Sequence, residues 1–292
     1  MSEPRASFRR MAAGAVAVCL LTLIGCDGHR HDDMELGPVL PLESAIALAN
    51  ASATGMPPGL QALGSARGHV MVDSQEKRHF DCDANLLLML PRHLRLDLQA
   101  FGQSQVLFGS NEQVYWLHVV PQVDTYWWGR YAEIDVTDIA NIPVRPDMIV
   151  EALGIVGLPT DTMGGEGPFQ RVEGEHQQLL FITYDADGQG RLYKEYWLSR
   201  RGDRQIEQII FRDDLGREQM RSKLSDYRPL AGAGPLLPHR VDVTWPERDA
   251  HLLLRVRTWK PQPVLTPAHR AFQPPHVGEQ QFKKVVDIDR DY

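Results

Sequence analysis

The sequence predicts a mainly β fold of α+β type, a strongly curved antiparallel sheet with helices covering its concave face. Three observations carry this expectation. From Arg67 onward, short runs alternate apolar and polar residues with a period of two, which sets one face of a strand on a core and the other in water. Turn signals separate these runs at about ten-residue intervals, the spacing of antiparallel strands that fold back repeatedly. Only two stretches read as helix, and a sheet with one apolar face needs a cover.

The elements follow in order. Residues 43–50 read as a short helix with Leu42, Ala45, Ile46 and Ala49 on one face. Leu94, Leu96 and Leu98 alternate with Arg95 and Asp97, so one face of that strand is apolar. Pro146 then opens a second helix, 147–156, carrying Ile149, Val150, Leu153 and Ile155 and ending near Gly157. The turns Asp187-Gly188-Gln189-Gly190, Arg201-Gly202-Asp203 and Asp214-Leu215-Gly216-Arg217 define a meander from Gln177 to about Tyr227. The alternation returns at Val241, Val243 and Trp245, and at Leu252, Leu254 and Val256 against Arg255 and Arg257.

The chain begins with a basic segment (Arg5, Arg9, Arg10) and an apolar run from Met11 to Ile24 that is too short to span a bilayer. It closes on Leu23-Ile24-Gly25-Cys26, which resembles the bacterial lipobox. That resemblance implies cleavage before Cys26 and acylation of Cys26 with palmitate-type chains, each buried methylene contributing about 0.8 kcal/mol to membrane anchoring. The expected organisation is therefore a signal peptide over 1–25, a lipidated cysteine and polar tether over 26–40, and a single domain over 41–292. Losing residues 1–25 removes three arginines and one glutamate, making an already acidic chain of net charge −7 more acidic. This disfavours a nucleic-acid partner and a polybasic membrane patch, leaving the N-terminal lipid as the membrane attachment. Cys19 leaves with the signal and Cys26 is acylated, so Cys82 has no partner for an intramolecular disulfide.

Further motifs carry a second resemblance. Phe80-Asp81-Cys82-Asp83-Ala84-Asn85-Leu86-Leu87-Leu88 is followed by Leu90-Pro91-Arg92-His93-Leu94-Arg95-Leu96-Asp97-Leu98 and Phe101-Gly102-Gln103-Ser104. These, with Asn111 to Leu117, Asp147 to Pro159, Leu237 to Val241 and Phe272-Gln273-Pro274-Pro275, resemble the LolA/LolB-like lipoprotein carriers and acceptors over residues 65–275. The resemblance implies an unclosed β-barrel with helices as a lid over an apolar, acyl-binding cavity. It further implies a membrane-inserting loop at Phe101 and a lid contact at Arg95.

Each assignment has a plainer reading beside it. Leu86, Leu88, Leu94, Leu96 and Leu98 would line a lipid cavity, yet each taken alone reads as ordinary core. Phe101 either projects from its turn or folds back on the sheet. Arg95, alternating with the leucines, equally fits a solvated outer face. Trp116 and Trp127 belong to an aromatic cluster between Tyr115 and Tyr131 that would line the cavity or simply pair across strands. Trp127 and Trp128 are consecutive, so in a strand they face opposite sides.

Catalytic motifs are missing: the chain has no Gly-x-Ser-x-Gly, no His-Glu-x-x-His, no phosphate loop and no Cys-x-x-Cys. Asp185 to Gly190 begins like a calcium loop, but Tyr196 stands where a bidentate glutamate is required, so a hairpin is the better reading. The expectation is a monomeric, non-enzymatic envelope lipoprotein that needs no cofactor or metal and binds an acyl lipid or lipoprotein client in sorting or transport. The alternative is an envelope interaction or stress-sensor protein on the same scaffold, without lipid transfer. Outer-membrane attachment on the periplasmic face is preferred from the resemblance, although Asp27 after the cysteine resembles an inner-membrane retention signal.

Overall fold

The computed structural model describes residues 35–72, 76–120, 124–133, 146–159, 167–185, 187–275 and 282–290. The expected signal peptide, Cys26 and the tether up to residue 34 lie outside the described residues.

Two meanders build the sheet. The first comprises β1 (Leu60–Val72), β2 (Glu76–Met89), β3 (His93–Ala100), β4 (Gln103–Ser110), β5 (Val114–Val119) and β6 (Thr125–Arg130). The second comprises β7 (Phe169–Glu173), β8 (His176–Tyr184), β9 (Gly190–Ser199), β10 (Ile206–Arg212), β11 (Glu218–Pro229), β12 (Leu236–Trp245) and β13 (Ala250–Pro261). Pairing of β1 with β13 joins them into one 14-stranded sheet, with β14 (Lys284–Asp287) added beside β6. β7 and β14 are its two edges, so the sheet is a curved, unclosed barrel. The expected turns at 187–190, 201–203 and 214–217 lie between β8 and β9, β9 and β10, and β10 and β11. One pairing departs from the all-antiparallel expectation: β14 runs parallel to β6, Lys284 opposite Thr125 and Asp287 opposite Trp128.

Alternation places the apolar side chains as the sequence predicts. Leu86 faces Leu96, Leu88 faces Leu94 and Ala84 faces Leu98 across β2 and β3, and the row continues to Phe108 and Val106 on β4. On the other side it passes through Ala62, Gly64 and Ala66 of β1 to Val256 and Leu254 of β13 and Val241 of β12. Gly64 is required where β1 and β13 approach, because a Cβ there would stand 2.0 Å from the Arg255 carbonyl oxygen. Gly109 makes room for the Trp116 ring opposite it, at 2.3 Å from where a Cβ would be. Cys82 is part of this core, and burial, followed by the Asp81 and Asp83 carboxylates, raises its thiol pKa.

Both expected helices are present, with shifted ends. α1 (Leu42–Ala49) buries Ala45, Ile46 and Ala49. α2 (Pro146–Ala152) is shorter than the expected 147–156, because Gly154 takes a left-handed φ of 67° that ends the helix. Leu153 and Ile155 therefore follow the helix, yet both remain buried in the same cluster as the sheet's leucines.

Candidate functional site

The leucine row and the two helices meet. Leu86, Leu88, Leu94, Leu96 and Leu98 are between 0% and 6% exposed and share one hydrophobic cluster with Ala45, Ile46 and Ala49 of α1 and Met148, Val150 and Ala152 of α2. The residues expected to line an acyl cavity thus stand in the apolar layer that also contains the helices, closed against water.

Polar side chains fasten the helical segments to the second meander. Ser222 Oγ on β11 donates to the Ala152 carbonyl at the end of α2, at 2.6 Å. Glu151 accepts from Lys194 Nζ at 2.8 Å and from Tyr196 OH at 3.0 Å, both on β9. Burial, then Glu151, pushes the Tyr196 phenol well above its ordinary pKa, keeping it a donor. Asn50, just after α1, donates from Nδ2 to the Leu158 carbonyl and accepts from the Leu158 amide, coupling the two helical segments. Ser52 Oγ donates to the Leu236 carbonyl at 2.8 Å. Ahead of α1, the Leu40 backbone exchanges hydrogen bonds with the Gln177 side chain.

None of these contacts comes from Arg95. It pairs in register with Leu87 and Gly109 on the side opposite the leucines and has no hydrogen-bond or ion-pair partner among the described residues. Sequence reading missed Asn50, Ser52, Glu151, Lys194, Tyr196 and Ser222, which are single polar residues within apolar or alternating runs. The one available signal was a polar residue at a core-facing position, as at Ser222, which is 0% exposed.

Phe101 occupies the tip of the β3–β4 hairpin. Ala100 and Gln103 are paired, leaving Phe101 and Gly102 as a two-residue turn with φ of 53° and 76°. Two positive φ values are the geometry of a tight hairpin, normally filled by Asn-Gly or Gly-Gly. A bulky aromatic in the left-handed region is strained by about 1–3 kcal/mol. The side chain is fully exposed, so no packing within the fold compensates. Beneath it, Asp97 accepts from Ser104 Oγ at 2.7 Å and from Gln99 Nε2 at 2.9 Å, bracing the hairpin's base.

By register Trp127 lies on the face of the leucine row, which runs from Leu96 through Phe108 and Leu117 to it, whereas Trp116 lies on the opposite face with Arg95 and Gly109. Trp127 packs with Tyr115, Ile288 and Tyr131 in a separate cluster. Trp116 is fully buried, and its Nε1 finds no hydrogen-bond partner among the described residues. This end of the sheet is covered by C-terminal residues. Phe282 lies 4.8 Å from both His118 and Tyr126, and Phe272 lies 5.3 Å from His93. Aromatics are dense between 115 and 131 because strands here pack on both faces. Trp127 and Trp128 do face opposite sides, the second holding the Arg130 guanidinium 4.9 Å over its ring.

Among the described residues, no group of three or more His, Cys, Asp or Glu side chains has metal-binding geometry. Asp185 serves its hairpin, Oδ1 accepting from the amides of Asp187 and Gln189. These bonds, the Gln189 amide first, hold its carboxyl below the usual range.

No family model matches the sequence, and no curated protein matches it. Among the solved structures to which the chain is similar are three at 10% identity. A LolA superfamily protein from Nitrosomonas europaea aligns over 77% of this chain and 94% of its own, with a TM-score of 0.46. A DUF1329 family protein from Desulfovibrio piger aligns over 80% and 100%, with a TM-score of 0.48. A putative outer membrane lipoprotein-sorting protein domain from Vibrio parahaemolyticus aligns over 77% and 93%, with a TM-score of 0.49.

Proposed function

We propose that this protein is a lipid-anchored component of a bacterial cell envelope. In this reading it binds the acyl chains of a lipid or lipoprotein client between the leucine row and the helical cover, and touches the membrane through Phe101. The observation that carries the reading is Phe101 itself, a strained and fully exposed phenylalanine at a hairpin tip. An arrangement that costs stability and has no internal partner points to an apolar partner outside the fold. Cys26 would tether the N-terminus, with the outer membrane preferred and the Asp27 signal opposing.

The leucine row is closed in the structure, so chains would enter only as α1 and α2 move away from it. The fastening bonds are few and each contributes about 1 kcal/mol net. Burial of an acyl chain supplies about 0.8 kcal/mol per methylene, so about one or two methylenes offset each bond lost. No covalent step belongs to this function, which is burial and release.

The test is native mass spectrometry of the unit from Leu36 onward, purified without detergent. Co-purifying acyl lipid that disappears in Leu96→Gln, with the variant's circular dichroism unchanged, supports the reading. A second reading, an envelope interaction protein on the same scaffold, is favoured by the near-zero exposure of the row. An empty protein that also takes up no apolar fluorescent probe would leave that reading standing and remove the first.

A further inference from the structure

A cavity of about 420 Å³ opens beside β1, β11, β12 and β13, where Gly64 and Val256 from the far end of the apolar row meet a set of polar side chains. Its lining includes Arg228, Arg240, Arg255 and Arg257, with Asp226 and Ser65 among them. Four guanidinium groups around one cavity are unexpected in a chain of net charge −7.

Two of the four are neutralised by carboxylates. Arg228 binds Asp226 through Nε at 2.9 Å and a terminal nitrogen at 2.6 Å, and that bond holds the Asp226 carboxyl below its usual range. Arg240 reaches Asp242 at 3.1 Å. Arg255 and Arg257 are exposed and have no ion-pair or hydrogen-bond partner among the described residues. They alternate with buried Leu254 and Val256, so both project from the face away from the core.

Backbone register concentrates the charge. Arg255 stands directly opposite Arg240 on β12 and opposite Ser65 on β1. Like charges directly opposite in an antiparallel pair are destabilising. A register shift at Leu63/Gly64 pairs Gly64 with Val256 and Leu63 with Thr258, leaving Arg257 as the extra residue in β13. The bulge therefore adds a second unpaired arginine beside the first, a device that re-aims side chains next to sites. Asp226, with a left-handed φ of 57°, belongs to the same lining.

We propose that this cavity binds a phosphate group, with the planar forks of Arg255 and Arg257 as its main ligands and the Ser65 hydroxyl within the same lining. Paired guanidinium forks match the oxygens of a phosphate and lose little order in binding it. The bound anion compensates the two guanidinium groups that have no carboxylate partner, so occupancy stabilises the fold. The volume lies in the range of small-ligand pockets, about 300–1,000 Å³, so a phosphate on a larger group is accommodated. This inference does not rest on the acyl-chain reading, since Arg255, Arg257 and Ser65 take no part in that site.

The experiment is titration calorimetry and thermal melting of the full chain in an uncharged detergent, with sodium chloride holding ionic strength constant. The probes are inorganic phosphate and glycerophosphoglycerol, the deacylated headgroup of phosphatidylglycerol. Binding of both, with a raised melting midpoint, identifies a phosphodiester headgroup as a ligand. Binding of inorganic phosphate alone identifies free phosphate or a phosphomonoester. In either case the variant carrying Arg255→Gln and Arg257→Gln weakens binding at least about tenfold, the scale of one lost charge-assisted bond, while its ligand-free midpoint is no lower than the parent's. No binding of either probe, or equal binding by parent and variant, overturns the proposal.

Discussion

Phe101 adopts a backbone conformation that glycine would take without strain, and its ring lies in water. Phe101→Gly removes the left-handed penalty and is expected to raise unfolding stability by about 1–2 kcal/mol, read as a higher urea midpoint with unchanged slope. An unaltered or lower midpoint would show that the ring packs on the protein after all. The adjacent leucines illustrate what single residues disclose in sequence. Leu94, Leu96 and Leu98 alternate with charged neighbours, so their inward direction is legible from the pattern alone. Arg95 carries the opposite ambiguity: the same alternation that places it outside separates it from the helices, and the structure gives it no bond to them. The arginines of the phosphate cavity are visible in the sequence only as outward residues, since their convergence depends on register between strands far apart in the chain.

At the scale of elements, α2 is a short helix held against the sheet by side chains rather than by its own length, since helices this short are marginal alone. The buried Ser222 hydroxyl is its most direct fastening. Ser222→Ala is expected to cost about 1–3 kcal/mol, the penalty for an unsatisfied buried group. It is also expected to accelerate amide exchange in 146–158 more than in β2 and β3. Equal acceleration everywhere would mean that the bond supports the whole fold and not the cover. The helices themselves are legible from Pro146 and from the Ala45, Ile46 and Ala49 face. The early end of α2 is not, because the apolar period continues through Leu153 and Ile155 although Gly154 has already turned the chain. The fastening residues are hidden for a different reason: their partners lie 70 residues away for Ser222, 108 for Asn50 and 184 for Ser52, and pattern within a window carries no such information.

At the scale of the whole unit from Leu36 onward, the described strands form two meanders made into one sheet by β1 and β13. Hairpin turns announce part of the second meander locally, from Gln177 to about Tyr227, and that part is legible. The joining of the two meanders is not local, and its trace in the sequence is only Gly64 and Gly68, where any Cβ would meet the β13 backbone at 2.0 Å. The parallel β14–β6 edge is also illegible, because a four-residue strand has too short a period to recognise and its partner lies more than 150 residues upstream. On this scaffold, the helices that cluster with the leucine row and the Phe101 hairpin serve a single proposed activity, contact with acyl chains at a membrane. Co-sedimentation of the unit from Leu36 onward with phospholipid vesicles tests this most directly, because the proposed lipid on Cys26 is left out of it. The account predicts that the parent unit binds. Phe101→Ala should bind about ten- to a hundredfold more weakly, the loss expected from leaving one phenylalanine's burial unmade. Equal binding by the two, or no binding by the parent, would contradict it.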